Sequence, residues 1–96
     1  MPSRPHIEAF AFDEDNEDEM AEHGISPNLV LQVLDAPYQI KKNRRGRRAT
    51  HLIIGRDRQD QCIAVPIEPT PHRTIWRPVT AWFCKAHEWG WLPLRK

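Results

Sequence analysis

The sequence predicts an α+β domain in which a small antiparallel β-sheet, a meander, is flanked by two N-terminal helices and one C-terminal helix. Three observations support this prediction. Runs typical of strands occur at residues 5–12 and four times between residues 38 and 79. Signals that start a helix occur twice between the first run and the second. An aromatic stripe with helical spacing follows the last run.

The N-terminal region contains the predicted first strand and both N-terminal helices. Asp13 is a suitable N-cap for an acidic helix at residues 14–23, and Gly24 is placed to end it. Ser26 and Pro27 form a second helix start, with serine as the N-cap and proline at the first helical position. The apolar face of this second helix is made of Leu29, Val30, Val33 and Leu34.

The remaining chain is predicted to form four strands and the last helix. The strands are expected at residues 38–42, 49–56, 61–68 and 72–79. Because short turns join them, we expect an antiparallel meander with the helices on one face. Thr80 is the expected N-cap of the C-terminal helix, whose apolar stripe would be Trp82, Phe83, Ala86 and Trp89. Trp82 and Trp89 are expected in the core, whereas Trp91 is expected to be exposed.

Length and composition favour one globular domain that spans residues 1–96. Hydrophobic residues make up 40% of the chain and charged residues 28%, which is typical of a folded protein. No apolar run approaches the ~20 residues of a membrane span, and the N-terminal residues lack the apolar core of a signal peptide. We therefore expect a cytoplasmic protein with no membrane contact, in which Cys62 and Cys84 are buried reduced thiols.

The charged residues divide the chain into an acidic part and a basic part. Residues 1–37 hold nine acidic residues and one basic residue, and residues 38–96 hold four acidic residues and thirteen basic ones. Basic residues are densest at residues 41–48, where six of eight are cationic and the other two, Asn43 and Gly46, suit a tight turn. Such a dense charge favours binding of an anion, such as the phosphates of a nucleic acid. Pairing of the acidic helix with the basic sheet is the alternative explanation.

Several short motifs occur in an order that resembles a known family. The chain contains Phe10-Ala11-Phe12-Asp13, then Asn16, then His23-Gly24-Ile25-Ser26 ahead of the second helix. Later it contains a basic strand from Arg48 to Gly55, the run Ile75-Trp76-Arg77-Pro78-Val79-Thr80-Ala81, and Glu88 in the last helix. Over residues 10–91, this order and spacing resemble the BrnT-type bacterial toxins of the RelE/ParE-like superfamily.

The resemblance implies a compact RelE-like fold and a role in a type II toxin–antitoxin system. The protein would be the toxin, a metal-independent mRNA endoribonuclease that needs no cofactor and acts on free or ribosome-associated RNA. A cognate antitoxin protein would neutralise it, and the assembly would be a homodimer or a toxin–antitoxin hetero-oligomer. The family usually has a lysine before the His-Gly pair, where this chain has Ala21 and Glu22. A catalytically decayed RelE-like fold that binds nucleic acid or protein is therefore the alternative.

Metal-free RNA cleavage requires a base for the 2′-hydroxyl, cations beside the phosphorane, and an acid for the leaving oxygen. Histidine titrates near neutral pH, and arginine binds phosphate through a planar pair of donors. Candidate catalytic residues are Arg77, His23, His51 and Glu88. Glu88 would act as a base or orient Arg77. Candidate phosphate-binding residues are Lys41, Lys42, Arg44, Arg45, Arg47, Arg48, Arg56 and Arg73.

Three further expectations concern the strand arginines, metals and tryptophans. Arg73 and Arg77 are expected on the same face of the predicted last strand, because side chains alternate along a strand. No metal centre is predicted, since Cys84 and His87 have ligand-like spacing but no second pair of this kind occurs. The four tryptophans are candidates for stacking on bases.

A third hypothesis is an interaction protein whose acidic and basic parts pair in a homodimer.

Overall fold

The computed structural model describes residues 5–94, in which six strands form one sheet accompanied by three α-helices. The first half contains β1 (Ala9–Phe10), α1 (Glu14–Glu22), α2 (Pro27–Gln32), a short 3-10 helix (Val33–Asp35) and β2 (Gln39–Lys42). The second half contains β3 (His51–Arg56), β4 (Cys62–Pro69), β5 (Ile75–Pro78), β6 (Trp82–Phe83) and α3 (Ala86–Trp89). The predicted α+β class is confirmed.

The two N-terminal helices begin where the sequence predicts. Asp13 accepts a hydrogen bond from the backbone N–H of Asn16, and Asn16 accepts one from the backbone N–H of Asp13, each at 2.9 Å. This reciprocal arrangement is a capping box. The buried Asn16 side chain also donates to the backbone oxygens of Ala11 and Pro78. It therefore holds the start of α1 against the end of β5. Ser26 caps α2 more simply, because its hydroxyl oxygen accepts one hydrogen bond from the backbone N–H of Leu29.

The sheet contains the predicted antiparallel meander and one further strand, which pairs in parallel. The strand order is β1-β5-β4-β3-β2, and β2 to β5 pair antiparallel. β1 pairs parallel to β5, with Ala9 opposite Ile75. β1 is also shorter than the predicted strand at residues 5–12. On either side of β1, Glu8 and Ala11 still donate backbone hydrogen bonds to Thr74 and Trp76, each at 2.9 Å.

The predicted C-terminal helix is wrong at its start, because Trp82 and Phe83 form β6. β5 pairs with one end of β4, through Pro78 and Ile67, and β6 pairs with the other end, through Trp82 and Ala64. β4 has eight residues and β5 has four, so the rest of the β4 edge needs hydrogen-bond partners. The backbone hydrogen bonds between β6 and β4 stabilise a strand here more than the apolar stripe stabilises a helix. α3 begins only after Lys85, and the buried hydroxyl of Thr80 caps nothing.

The larger core lies between one face of the sheet and the helices α1 and α2. Its buried residues include Met20, Ile25, Val30, Val33, Ile53, Ile63, Val65 and Ile67. Gly55 of β3 lies directly beneath this layer. A Cβ atom at Gly55 would lie 2.5 Å from a methyl carbon of Val33 and 3.1 Å from Cβ of Tyr38. Glycine is therefore required here for close approach between the sheet and the helical layer.

A smaller core lies on the opposite face, under the C-terminal segment. Its buried residues are Ile54, Cys62 and Ala64, and its partly buried members are Leu52, Trp82, Cys84, Trp91 and Leu92. The expectation that all helices cover one face is therefore wrong, since α3 and the chain after it follow the other face. Trp89 is 51% exposed rather than in the core, and Trp91 is partly buried rather than exposed. The positions of Trp89 and Trp91 both differ from the prediction because the first turn of the predicted helix is replaced by β6.

Cys62 and Cys84 form a disulfide, which corrects the expectation of reduced thiols. Cys84 follows β6 and lies beside Cys62 on β4, with 5.2 Å between the Cα atoms. The N–H of Cys84 donates to the carbonyl of Cys62 at 2.9 Å, which extends the ladder by one residue. Neighbouring strands bring two side chains on one face within disulfide distance. In residues 5–94, no helix is long and apolar enough to cross a membrane.

Candidate functional site

The basic loop between β2 and β3 is held in shape by Asn43 and Gly46. The Asn43 side chain donates to the carbonyl of Ala49 at 3.0 Å and accepts from the N–H of Arg44 at 2.9 Å. Gly46 has a φ of 81°, which is strained for other residues. Both turn residues therefore have the predicted role. The turn leaves the side chains of Arg44, Arg45, Arg47 and Arg48 exposed.

A cleft of about 460 Å³ opens between this loop and the C-terminal segment. We call it the cationic cleft. Its apolar floor contains Leu52 and Pro66, which are neighbours across β3 and β4 on the same face as the smaller core. In the part of the chain that the structure describes, six cationic residues line it: Lys41, Lys42, Arg44, Arg47, Arg48 and Lys85. The wall opposite the loop contains Trp82, Lys85, His87, Glu88 and Trp91.

Among residues 5–94, one carboxylate lines the cationic cleft, and it already accepts hydrogen bonds from the protein. Glu88 is 4% exposed and accepts hydrogen bonds from the N–H of Lys85 at 2.7 Å and from Nε1 of Trp82 at 3.0 Å. Arg48 pairs with Glu68 at 3.2 Å, on the rim. Within residues 5–94, the side chains of Lys42, Arg44, Arg47 and Lys85 form no ion pair. Four cations are therefore available to an anion that enters the cleft.

Aromatic rings line the same cleft. The Lys41 ammonium lies 4.0 Å from the centroid of the Trp91 ring, a cation–π contact. The His87 ring meets Trp91 edge to face at 5.3 Å. Lys85 lies 5.6 Å from the centroid of Trp82. Lys85 and His87 were not among the predicted site residues. The sequence feature that could have indicated them is the cluster of Lys85, His87 and Glu88 next to tryptophans. The predicted helix hid this feature, because it placed the three side chains on different faces.

Arg77, a predicted catalytic residue, lies outside the lining of the cleft and is paired with two carboxylates. It donates to Asp13 through Nε at 2.7 Å and Nη2 at 3.0 Å, and to Glu68 through Nη1 at 2.9 Å. These donors, followed by the backbone N–H of Asn16, hold the pKa of Asp13 below its usual value. The same pairing raises the pKa of Arg77. Asp13 and Glu68 orient Arg77, and Glu88 does not contact it.

The two predicted catalytic histidines also lie outside the lining of the cleft. His23 follows α1 as its C-cap, and its ring is 6.5 Å from the Trp82 ring. His51 lies on β3, where its ring meets Trp76 edge to face at 5.3 Å. Partial burial, and secondly the charge of Lys42, lower the pKa of His51. The structure therefore does not bring Arg77, His23, His51 and Glu88 together.

The predicted phosphate-binding residues divide between the cleft and other places. Lys41, Lys42, Arg44, Arg47 and Arg48 line the cleft. Arg45 lies on the same loop but not in the lining. Arg56 donates to the carbonyl of Pro93 and so holds the C-terminal segment. Arg73 lies in the turn before β5, which begins at Ile75, so Arg73 and Arg77 do not share a strand face.

The arrangement suits a ligand that carries phosphates and planar rings. Guanidinium and ammonium groups bind phosphate oxygens, and the indoles offer surfaces for stacking. No group of three or more His, Cys, Asp or Glu side chains within residues 5–94 is arranged to hold a metal ion. No protein-family model matches this chain. No curated protein matches its sequence either.

Proposed function

We propose that this protein binds RNA in the cationic cleft and cleaves it there, as the toxin of a type II toxin–antitoxin system. The observation that carries the proposal is a set of four cations that form no ion pair within residues 5–94 and lie beside the two indoles of the same cleft: Lys42, Arg44, Arg47 and Lys85. On this proposal the fold is RelE-like and the protein acts in the cytoplasm. A partner antitoxin covers the cleft when the toxin is inactive.

Binding would combine charge with stacking. Arg44 and Arg47 lie on one wall and Lys85 on the other, so a phosphate between them meets cations from two sides. Each such contact releases counterions from the nucleic acid, which makes the affinity depend on salt. Trp91 contacts Lys41 and His87 at the edge of the cleft, and its ring would stack on an unpaired base.

Cleavage would use His87, the histidine that lines the cleft. A neutral imidazole takes the proton of the 2′-hydroxyl as the 2′-oxygen attacks phosphorus. The bond from phosphorus to the 5′-oxygen breaks, and the imidazolium of His87 gives the proton it took to that leaving oxygen. The products are a 2′,3′-cyclic phosphate and a 5′-hydroxyl end. Arg44, Arg47 and Lys85 would stabilise the charge that develops on the phosphorane.

The proposal is tested by incubating the purified protein with a labelled single-stranded RNA in the presence of a metal chelator. We expect cleavage products that end in a cyclic phosphate. His87→Ala should lower the cleavage rate at saturating RNA by about 100-fold or more, since general acid–base catalysis contributes on the order of 10²–10⁴. His72→Ala is the matched control, because His72 is an exposed histidine outside the cleft. Equal activity of both variants would remove His87 from the mechanism.

A catalytically decayed RNA-binding module is the second candidate. It is favoured by the position of Arg77, the arginine of the family-like motif, whose guanidinium is already paired with Asp13 and Glu68. On this reading the protein binds the labelled RNA with a steep salt dependence and leaves it intact. The same incubation, analysed for binding and for products, separates the two candidates.

The partner and the toxicity require a test in cells. Induced expression of the chain alone should arrest growth and degrade RNA, and expression of the antitoxin beside it should restore growth. The purified complex then shows whether the assembly is a hetero-oligomer or whether the chain forms a homodimer by itself. Harmless expression with intact RNA would contradict the toxin proposal and leave RNA binding to be judged by the purified protein.

A further inference from the structure

The Cys62–Cys84 disulfide joins the sheet to the wall of the cleft that carries Lys85 and His87. Cys84 directly precedes Lys85, and the rest of that wall follows within a few residues. Cys62 belongs to β4 and is 1% exposed. The disulfide is therefore the covalent connection between a rigid, buried strand and a short segment that presents charged side chains to the cleft.

The other contacts that hold residues 84–92 are short or local, and they include the hydrogen bonds that Glu88 accepts from Lys85 and Trp82. β6 pairs with β4 over two residues, and α3 has four residues, far fewer than a helix needs to be stable by itself. The smaller core beneath it has three fully buried members, Ile54, Cys62 and Ala64, and one of them is a disulfide cysteine. Trp91 contacts Lys41, and Arg56 binds the carbonyl of Pro93. The disulfide thus carries a large share of the order of residues 84–92.

The two cysteines differ in exposure. Cys62 is buried, whereas Cys84 is partly exposed. An external thiolate can therefore approach the sulfur of Cys84, and Cys62 becomes the leaving thiolate. In the cytoplasm, where we place the protein, disulfides are uncommon and those that form are usually transient and redox-sensing. A bond that forms and breaks beside the cleft suits that setting better than a permanent one.

We propose that the Cys62–Cys84 disulfide is a redox clasp: intact, it holds residues 84–92 against β4 and the cleft binds phosphodiesters, and reduction releases this wall. A dithiol reductant drives the release. One of its thiolates attacks the sulfur of Cys84, the bond between the two cysteines breaks, and Cys62 leaves as a thiolate and takes a proton. The second thiol then displaces Cys84, so the dithiol is oxidised to a disulfide and both cysteines are reduced.

The inference rests on the proposed RNA binding for its functional consequence. The loop wall, with Arg44 and Arg47, belongs to the β2–β3 connection and stays in place after reduction. Lys85, His87 and Trp91 belong to the released segment. Reduction should weaken binding of a phosphodiester chain by about tenfold or more, the size of one lost stacking contact. The slope of log affinity against log salt should fall by about one, because Lys85 leaves the cleft.

The test compares air-oxidised and dithiol-reduced protein, with the number of free thiols checked by alkylation and mass spectrometry. The probe is a short labelled single-stranded oligoribonucleotide made uncleavable by 2′-O-methylation. Amide hydrogen exchange is measured on the same samples. We expect weaker binding after reduction and faster exchange at residues 84–92, with no change at Ile53 and Val65 of the larger core. Cys62→Ala/Cys84→Ala should behave as the reduced protein with or without the dithiol.

Several outcomes would overturn the clasp. These are free thiols after air oxidation, equal affinity and equal exchange in both redox states, or faster exchange throughout the sheet after reduction. The last result would make the disulfide a staple for the whole fold. Failure of the oxidised protein to bind the oligonucleotide would instead contradict the proposed function. The local exchange result would then still show whether the disulfide controls the order of residues 84–92.

Discussion

Arg77 and Asp13 form a bidentate ion pair, with Nε–Oδ2 at 2.7 Å and Nη2–Oδ1 at 3.0 Å, that joins β5 to the N-terminus of α1. The remaining Nη1 group of Arg77 binds Glu68 of β4, and Glu68 also pairs with Arg48 of the basic loop. Arg77 therefore holds three elements together: β5, the start of α1 and β4. Its placement accounts for the difference between the predicted catalytic set and the residues of the cationic cleft.

Arg77→Ala should destabilise the protein without removing RNA binding from correctly folded molecules. The substitution leaves Glu68, 20% exposed at its side chain, without its closest donor. We expect a loss of about 1–3 kcal/mol in the free energy of unfolding, the usual effect of removing a hydrogen bond to a charged group, while Arg48 continues to pair with Glu68. Urea denaturation measures this loss. Loss of RNA binding with unchanged stability would contradict the structural role and support the catalytic one.

Stability should fall in acid because of Asp13. Its pKa is lower in the folded protein than in the unfolded chain, so the unfolded chain binds more protons in acid. The contribution of Asp13 is thus present above the unfolded value of about 4 and is lost as the pH falls through the lower folded value. Asp13→Asn keeps an N-cap side chain and removes the charge.

The comparison of Asp13→Asn with Asp15→Asn isolates this effect. Asp15 lies in the first turn of α1 and forms no ion pair within residues 5–94. Urea denaturation from neutral to acidic pH should show a shallower loss of stability for Asp13→Asn than for the wild type. Asp15→Asn should follow the wild-type curve more closely. Identical curves for the two variants would show that the pair with Arg77 does not control acid stability.

Local patterns in the sequence predict a large part of this fold. The caps at Asp13 and Ser26 form the expected hydrogen bonds, since a cap involves residues close together in the chain. The meander from β2 to β5 follows from alternation and short turns. β6 could not be predicted, because a strand of two residues is defined by the free edge of β4 rather than by its own pattern.

The candidate site was predicted in part for the same reason. The basic loop is continuous in sequence, and five of the eight predicted phosphate-binding residues line the cleft. The opposite wall depends on β6, since the strand and the disulfide after it bring Lys85 and His87 across the sheet. A predicted helix from Thr80 placed these side chains elsewhere. Long-range pairing therefore determined the part of the site that local patterns missed.

Arg44→Ala and Arg45→Ala should have different effects on RNA binding. Both remove one exposed arginine from the same loop, but Arg44 lines the cationic cleft and Arg45 does not. We expect Arg44→Ala to lower the slope of log affinity against log salt by about one, through the loss of one phosphate contact. Arg45→Ala should change it less. Titration of the uncleavable oligoribonucleotide at several salt concentrations measures both slopes, and equal slopes would contradict a defined cleft.

Gly55→Ala should destabilise the larger core. The added methyl group would lie 2.5 Å from a methyl carbon of Val33, so Val33, the 3-10 helix that carries it, or β3 would have to shift. We expect a loss of about 1–3 kcal/mol in the free energy of unfolding, the usual cost of overpacking. In Gly55→Ala/Val33→Ala the clash is absent, so the double variant should be more stable than the sum of the two single effects. Simple additivity would show that Val33 is not the limiting contact.

Glu88 should stabilise the wall of the cleft opposite the basic loop through the hydrogen bonds that it accepts from Lys85 and Trp82. Glu88→Ala leaves the N–H of Lys85 and Nε1 of Trp82 without their acceptor, and we expect a loss of about 1–3 kcal/mol in the free energy of unfolding. Glu88→Gln retains one amide oxygen and should lose less. Glu22→Ala, at an exposed position of α1, is the control for removal of a carboxylate. Urea denaturation followed by tryptophan fluorescence reports both global stability and the surroundings of Trp82. Equal free energies of unfolding for Glu88→Ala and Glu22→Ala would contradict this role of the buried carboxylate. The two donors of Glu88 would then bind water or another acceptor without a loss of stability.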